Sequence, residues 1–319
     1  MNPMKDCFLF LSKSKLLQKM VSTSGPAKCF SKRFVSGETL EEGVRTAQEL
    51  NKQGILVTLD NLGESVSDEK SALESADEYL NILERIKSEP NKNITVSLKL
   101  TQMGLDISLP AGRHGDKFCL DNIHRIMNKV KDYQKKLTID MEDTPYTDRT
   151  LNLYTTLLKE GFAGTGIVIQ AYLRRSEADI RNLLALGPRI RLCKGAYKEP
   201  SKVAFPKKKD TDKNYINLLA IMFSPDALAK GTYPEVASHD ENIINWTMNH
   251  VKQNNIPADK FEFQMLYGIR RDLQEKIVKE GYQMRVYLPY GTHWYPYYMR
   301  RLAERPANVW FMVKSMCYR

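Results

Sequence analysis

Residues 166–195, GIVIQAYLRRSEADIRNLLALGPRIRLCKG, decide the fold. Two short apolar runs rich in Ile, Val and Leu, 166–172 and 189–195, flank a polar-apolar stretch, 176–186, with helical periodicity. Strand, helix and strand in that order predict parallel pairing, because parallel neighbours need a long return path and the helix supplies it.

The same rhythm extends both ways without repeating the sequence. Further β-rich runs are GILVTLD (54–60), ITVSLKL (94–100), LTIDME (137–142), PEVASH (234–239), FEFQML (261–266) and RVYLPY (285–290), eight in all with the first two. Between them 68–88, 120–135, 148–160, 211–230, 240–254 and 269–280 read as helices. Eight strand-helix units predict an α/β fold, a closed (β/α)8 barrel of the TIM type spanning 54–319, with helices of 1–53 packed outside it. An open doubly wound sheet is the alternative, and it should show a Gly-rich phosphate turn after an early strand. The nearest candidate, GFAGTG (161–166), has the spacing G-x-x-G-x-G and precedes a strand, so its context is wrong.

The chain has 319 residues and a formal charge of +10. The excess sits at the ends: residues 1–36 hold seven Lys/Arg against one Asp, and 285–319 hold six against one Glu. Such ends meet solvent or an anionic surface, and charge alone does not choose. The Lys207-Lys208-Lys209 run reads as a solvated loop. Five scattered cysteines without a C-x-x-C pair predict reduced thiols and no zinc site. The apolar run CFLFL (7–11) is too short and too soon broken by charge to read as a signal peptide or membrane span.

In a parallel barrel the reactive groups belong at the C-terminal strand ends, here Asp60, Lys99, Asp140, Gln170, Lys194, His239, Gln264 and Tyr287. Lys99 interrupts an apolar strand and needs a carboxylate, for which Asp140 is the nearest candidate; a buried ion pair and a substrate site fit equally. Arg191, flanked by Ile190 and Leu192, can stabilise negative charge but never act as a base. His239, before Asp240 at a helix start, reads as a base, a phosphate contact or a cap. With five histidines, no metal pattern and no activated serine, a bound cofactor is the better carrier of the chemistry.

The last unit, RVYLPYGTHWYPYYMRRLAE (285–304), puts Tyr290, Trp294, Tyr295, Tyr297 and Tyr298 ahead of the pair Arg300-Arg301. Paired guanidinium groups hold a carboxylate through parallel charge-assisted bonds, and rings beside them exclude water. A solvated helix face with Glu304 completing the pairs is the alternative. Aromatics gathered at a predicted barrel mouth, rather than interleaved with basic residues on an open face, argue against nucleic acid as a partner.

Taken together, VSLKLTQMGLD (96–106), IDMED (139–143), VIQAYLRR (168–175), RLCKGAYKEP (191–200), ASHDENI (237–243), FEFQMLYGIRRDLQ (261–274) and RVYLPYGTHWYPYYMRRLAERPAN (285–308) resemble the proline dehydrogenases. The resemblance covers roughly 30–310, includes RFVSGETLEEGV (33–44), and is to the short monofunctional bacterial form without an appended aldehyde dehydrogenase or DNA-binding domain. It implies a distorted barrel whose last helix lies over the mouth, FAD bound across the strand ends, and oxidation of L-proline to Δ1-pyrroline-5-carboxylate by hydride transfer to the flavin. Electrons then pass to a membrane quinone, and the enzyme is cytoplasmic, with peripheral membrane contact as a further expectation from its basic termini.

The resemblance also implies roles. Asp140 and Arg191 are the catalytic pair, Asp140 orienting Lys99 and Arg191 standing at the flavin edge. Lys99, Arg300 and Arg301 hold the substrate carboxylate, while Tyr287, Tyr297, Leu192 and Tyr197 enclose the ring. Met141, Gln170, Lys194, Gly195, Ala196, Ser238 and His239 join Arg191 on the cofactor. Glu304 braces the arginines, and Glu64 pairs with the first of them as a gate.

Overall fold

The computed structural model describes residues 33–63, 65–90, 93–108, 115–297 and 299. Eight strands, β1 (Ile55–Asn61), β2 (Ile94–Leu98), β3 (Leu137–Ile139), β4 (Thr165–Gln170), β5 (Arg189–Cys193), β6 (Tyr233–Ala237), β7 (Glu262–Leu266) and β8 (Met284–Tyr290), pair in sequence order into a closed barrel. Every pairing is parallel, and β8 closes on β1 from Ile55↔Met284 to Asn61↔Tyr290. The predicted α/β barrel is the fold.

The helices are α1 (Leu40–Lys52), α2 (Glu69–Ile86), α3 (Gly115–Asp132), α4 (Thr147–Lys159), α5 (Ser176–Leu183), α6 (Lys208–Met222), α7 (Pro225–Ala229), α8 (Glu241–Gln253) and α9 (Arg271–Lys279). Two expectations need correction. The single helix foreseen over 211–230 is broken, because the Ser224 side chain accepts from Ala227 N and Pro225 starts a new helix where its missing N–H is not needed. The lysine run is not a loop: Lys207 is the N-cap of α6, and Lys208 bonds Asp212 and Asp240.

α1 begins in a capping box formed by Thr39 and Glu42. At its far end Asn51 Nδ2 donates to the carbonyls of Ile55 (2.9 Å) and Asn93 (3.3 Å), while Ser36, just before it, donates to Pro289 O at the top of β8. The helix therefore runs antiparallel to the strands along the β8–β1 seam, where the helix after β8 would otherwise pack. Residues 294–297 and Met299 are helical after β8, while residues 298 and 300–319 lie outside the described residues, as do residues 1–32 of the expected N-terminal extension.

Aliphatic side chains on the outer strand faces are buried against the helices. The barrel axis is filled with charge instead. Arg285 grips Glu262 through Nε (2.6 Å) and Nη2 (3.1 Å), Arg189 pairs with Glu235, and Gln264 Nε2 donates to Glu235 (2.8 Å) and Glu262 (2.7 Å). Buried ions persist only when matched in sign and hydrogen-bonded, which this tier achieves by giving each arginine a glutamate.

Candidate active site

Above that tier the alternation of β2, β5 and β8 turns Ser97, Arg191 and Tyr287 toward the axis, with Lys99 and Asp140 one step beyond the ends of β2 and β3. Asp140 is the common acceptor. Its Oδ1 accepts from Arg191 Nη1 and Ser97 Oγ, both at 2.7 Å, and its Oδ2 accepts from the Tyr287 hydroxyl at 2.7 Å. Arg191 Nε also donates to Gln264 Oε1 at 2.6 Å, which hangs the site from the ion tier below. The Arg191 guanidinium lies 5.2 Å from the centroid of the Tyr287 ring.

Lys99 stands between two carboxylates, 3.5 Å from Asp60 Oδ1 and 3.9 Å from Asp140 Oδ2. The nearer partner is therefore Asp60, not the Asp140 that the sequence suggested. Burial opposes the charge on Lys99, but Asp60 and Asp140 outweigh it and raise its pKa well above the lysine range. Burial pushes the Asp60 carboxyl up, partly countered by Lys99. The Tyr287 phenol is raised by burial and then by Asp140 and Asp60, so it stays a donor.

Leu192 requires a correction. It falls in the phase opposite Arg191 and is completely buried among the helix-facing aliphatics, so it cannot wall a site on the axis. Leu266 holds the inward phase at the end of β7, in register with Tyr287, and the two-residue period Glu262, Gln264, Leu266 was the signal for it.

Around the rim, Gln170 Nε2 donates to Glu142 O at 2.9 Å. Lys194 sits between Asp212 Oδ1 (2.5 Å) and Asp240 Oδ2 (2.7 Å), and Lys208 bonds the same two carboxylates. Asp240 caps α8, accepting from Asn242 N; burial opposes its charge, yet Lys194 and Lys208 bring its pKa down to about 2. Ser238 Oγ accepts from Asp240 N at 3.1 Å, and His239 Nε2 accepts from Leu266 N at 2.9 Å. That bond makes His239 a tie between β6 and β7, with its ring proton on Nδ1. Gly195 has φ +106°, and a Cβ there would meet the Tyr172 ring at 2.1 Å, so only glycine fits.

Met141 is buried in the outer apolar cluster, Ala196 and Tyr197 are exposed beside the mouth, and Tyr297 is buried in the last helix. The expectations for Glu64, Arg300, Arg301 and Glu304 fall outside the described residues. Two polar atoms at the mouth suit a polar guest: Arg191 Nη2 and the Tyr172 hydroxyl are buried without a hydrogen-bond partner among the described residues.

Comparison with known proteins agrees with this architecture. The family described as proline dehydrogenase matches residues 43–314. Proline dehydrogenase 1 of Bacillus subtilis strain 168 is 44% identical over 98% of this chain and 99% of its own. The proline dehydrogenase of Deinococcus radiodurans is 42% identical over 90% of this chain and 89% of its own. The crystal structure of proline utilization A from Bdellovibrio bacteriovorus superposes with a TM-score of 0.80 at 27% identity, covering 87% of this chain and 33% of that longer one.

Proposed function

The chain belongs to the proline dehydrogenase family, the enzymes of the first step of proline catabolism, and on that premise we propose how its own residues oxidise L-proline with FAD. The observation that carries the reading is Lys99, an ammonium held at the barrel mouth beside the Asp140–Arg191 pair. A carboxylate approaching Lys99 from the open side meets an ammonium that its buried partners keep charged. Arg300 and Arg301 complete the clamp, and Tyr287, Tyr197, Tyr297 and Leu266 wall the small apolar ring. Asp140 holds Lys99, Arg191 and Tyr287 in one arrangement, so substrate binding does not have to order them.

The orphaned Arg191 Nη2 and the unpartnered Tyr172 hydroxyl are the reason the residues fit a flavin. FAD, when bound, supplies the two-electron acceptor for the hydride leaving the ring carbon beside nitrogen. Arg191, a cation that cannot deprotonate, would favour negative charge at the cofactor edge. Gln170, Met141, Lys194, Gly195, Ala196, Ser238 and His239 would hold the remainder. Lys194 and Lys208 are charges of the right sign for its phosphates.

The proline nitrogen must be neutral to push out hydride, because its lone pair stabilises the developing iminium. The cations around the carboxylate favour loss of that proton, so turnover is expected to rise above neutral pH. The product is Δ1-pyrroline-5-carboxylate, and electrons leave to a quinone. None of the described helices is long and apolar enough to cross a membrane. A cytoplasmic enzyme with peripheral membrane contact through its basic termini suits a lipid-dissolved acceptor. Anaerobic visible spectroscopy tests the core of this reading: flavin bands that bleach with L-proline, and not with D-proline, support it. A flavin left oxidised by L-proline would overturn the substrate, and a protein that takes up no FAD would overturn the cofactor.

A further inference from the structure

Two carboxyls face Lys99, Asp60 buried and Asp140 partly so, and they are held very differently. Asp140 has three donors at 2.7 Å, from Arg191, Ser97 and Tyr287, and its charge is provided for without Lys99. Asp60 is 1% exposed, and its ion pair is the single 3.5 Å contact with Lys99. The ionisable groups around it are Lys99 beyond β2, Asp140 beyond β3, Tyr287 and Tyr290 on β8, and Tyr79 on α2. Asp140 is a like charge, and of the three phenols Tyr287 also favours the Asp60 carboxylate through a hydrogen bond; Lys99 is the one cation among these groups, because Arg191 is spent on Asp140.

We propose that Asp60 is a further positioning residue, which takes up a proton when a substrate carboxylate claims Lys99. The inference rests on the assignment of Lys99 to the substrate carboxylate. An incoming anion draws the ammonium away from its weakest contact, and a buried carboxylate deprived of its counter-ion is costly enough to protonate instead. The proton comes from the buffer and ends on an Asp60 oxygen; no other bond changes. The neutral carboxyl then stays beside Lys99 without repelling the bound anion, and the site regains its charge balance.

The test uses tetrahydro-2-furoate, the ring-oxygen isostere of prolinate, because it has the carboxylate and ring but no nitrogen to titrate. Titration calorimetry of the FAD-loaded enzyme at pH 7 in phosphate and in Tris, whose ionisation enthalpies differ, counts protons taken up per ligand bound. The native protein should take up between half and one proton, and Asp60→Asn should bind with no more than about a tenth of that uptake. Native binding without uptake, or equal uptake by Asp60→Asn, overturns the proposal. If the variant does not fold, the native enzyme still decides it: affinity should fall by up to tenfold per pH unit as pH rises through the Asp60 titration, and a flat profile overturns it. Native protein that does not bind the isostere refutes the substrate-carboxylate assignment itself, an outcome distinct from binding without protons.

Discussion

Arg191 Nη1 reaches Asp140 Oδ1 across the barrel at 2.7 Å, joining β5 to the end of β3 through the axis. Gln264 on one side of the arginine and Tyr287 and Lys99 around the aspartate make this pair the junction of the site. Its partners would be left unsatisfied in a buried place by loss of either member, which is the costly way to break an ion pair. Asp140→Ala should therefore destabilise the fold by about 3–5 kcal/mol, visible as a lower urea midpoint, besides abolishing turnover. Asp140→Asn, which keeps an acceptor oxygen, should lose less stability while still losing most activity. Equal unfolding midpoints for native and Asp140→Ala would show that the pair contributes nothing.

Arg191→Lys keeps the charge and loses the fork. A lysine ammonium cannot meet Gln264 and Asp140 together in the directions that Nε and Nη1 now take. The loss of turnover should be on the order of a hundredfold, the usual penalty for misplacing one preorganised donor, with a smaller change in the proline KM. Flavin content measured by absorbance should fall only modestly, since on the proposed reading other rim residues would share that binding. A variant with native turnover would remove Arg191 from the chemistry.

Lys136, at the lower pole of the barrel, is brought down to about 8 by burial and by Arg189 and Arg285, against Glu262 and Glu235. Its folded pKa lies below its unfolded value, so the unfolded chain binds the extra proton between pH 8 and 10.5. The penalty for keeping Lys136 charged is thus present below pH 8 and relieved as pH rises through that window. Lys136→Met should melt higher than the native protein at pH 7, and the gap should narrow by pH 10. A gap independent of pH would assign the effect to packing instead.

How much of this could be read in advance depended on whether neighbours in sequence or neighbours across the barrel decide. The strands were legible because both faces of a parallel barrel are buried, which makes each run β-rich and short. Lys99, Asp140 and Arg191 announced themselves as charges at the ends of, or inside, apolar runs. Lys99's preference for Asp60 did not, because that depends on the stagger between β1 and β2, where Asp60 pairs with Ser97 rather than with Lys99. Leu192 failed for a simpler reason: once Arg191 points inward, its neighbour must point out. The Glu235–Gln264–Glu262 bridge also needs three strands in register, and no single run displays it.

At the rim, Asp240 offers the opposite pH signature to Lys136. Burial works against its charge, but hydrogen bonds from Lys194 and Lys208 prevail and hold its pKa at about 2. A depressed carboxylate contributes stability above its ordinary value and surrenders it as pH falls from about 4 toward 2. The carboxylate also caps α8 through Asn242 N, a bond that Asn can make without the charge. Asp240→Asn should then keep α8 but lose part of the ion cluster, being less stable than the native protein at pH 6, with most but not all of that gap gone at pH 2.5. The gain is discounted because the surrounding side chains are partly solvated, so about 1 kcal/mol at pH 6 is the expected scale. Chemical unfolding at the two pH values checks it, and a difference that persists unchanged at pH 2.5 would mean that the lysines do not govern Asp240.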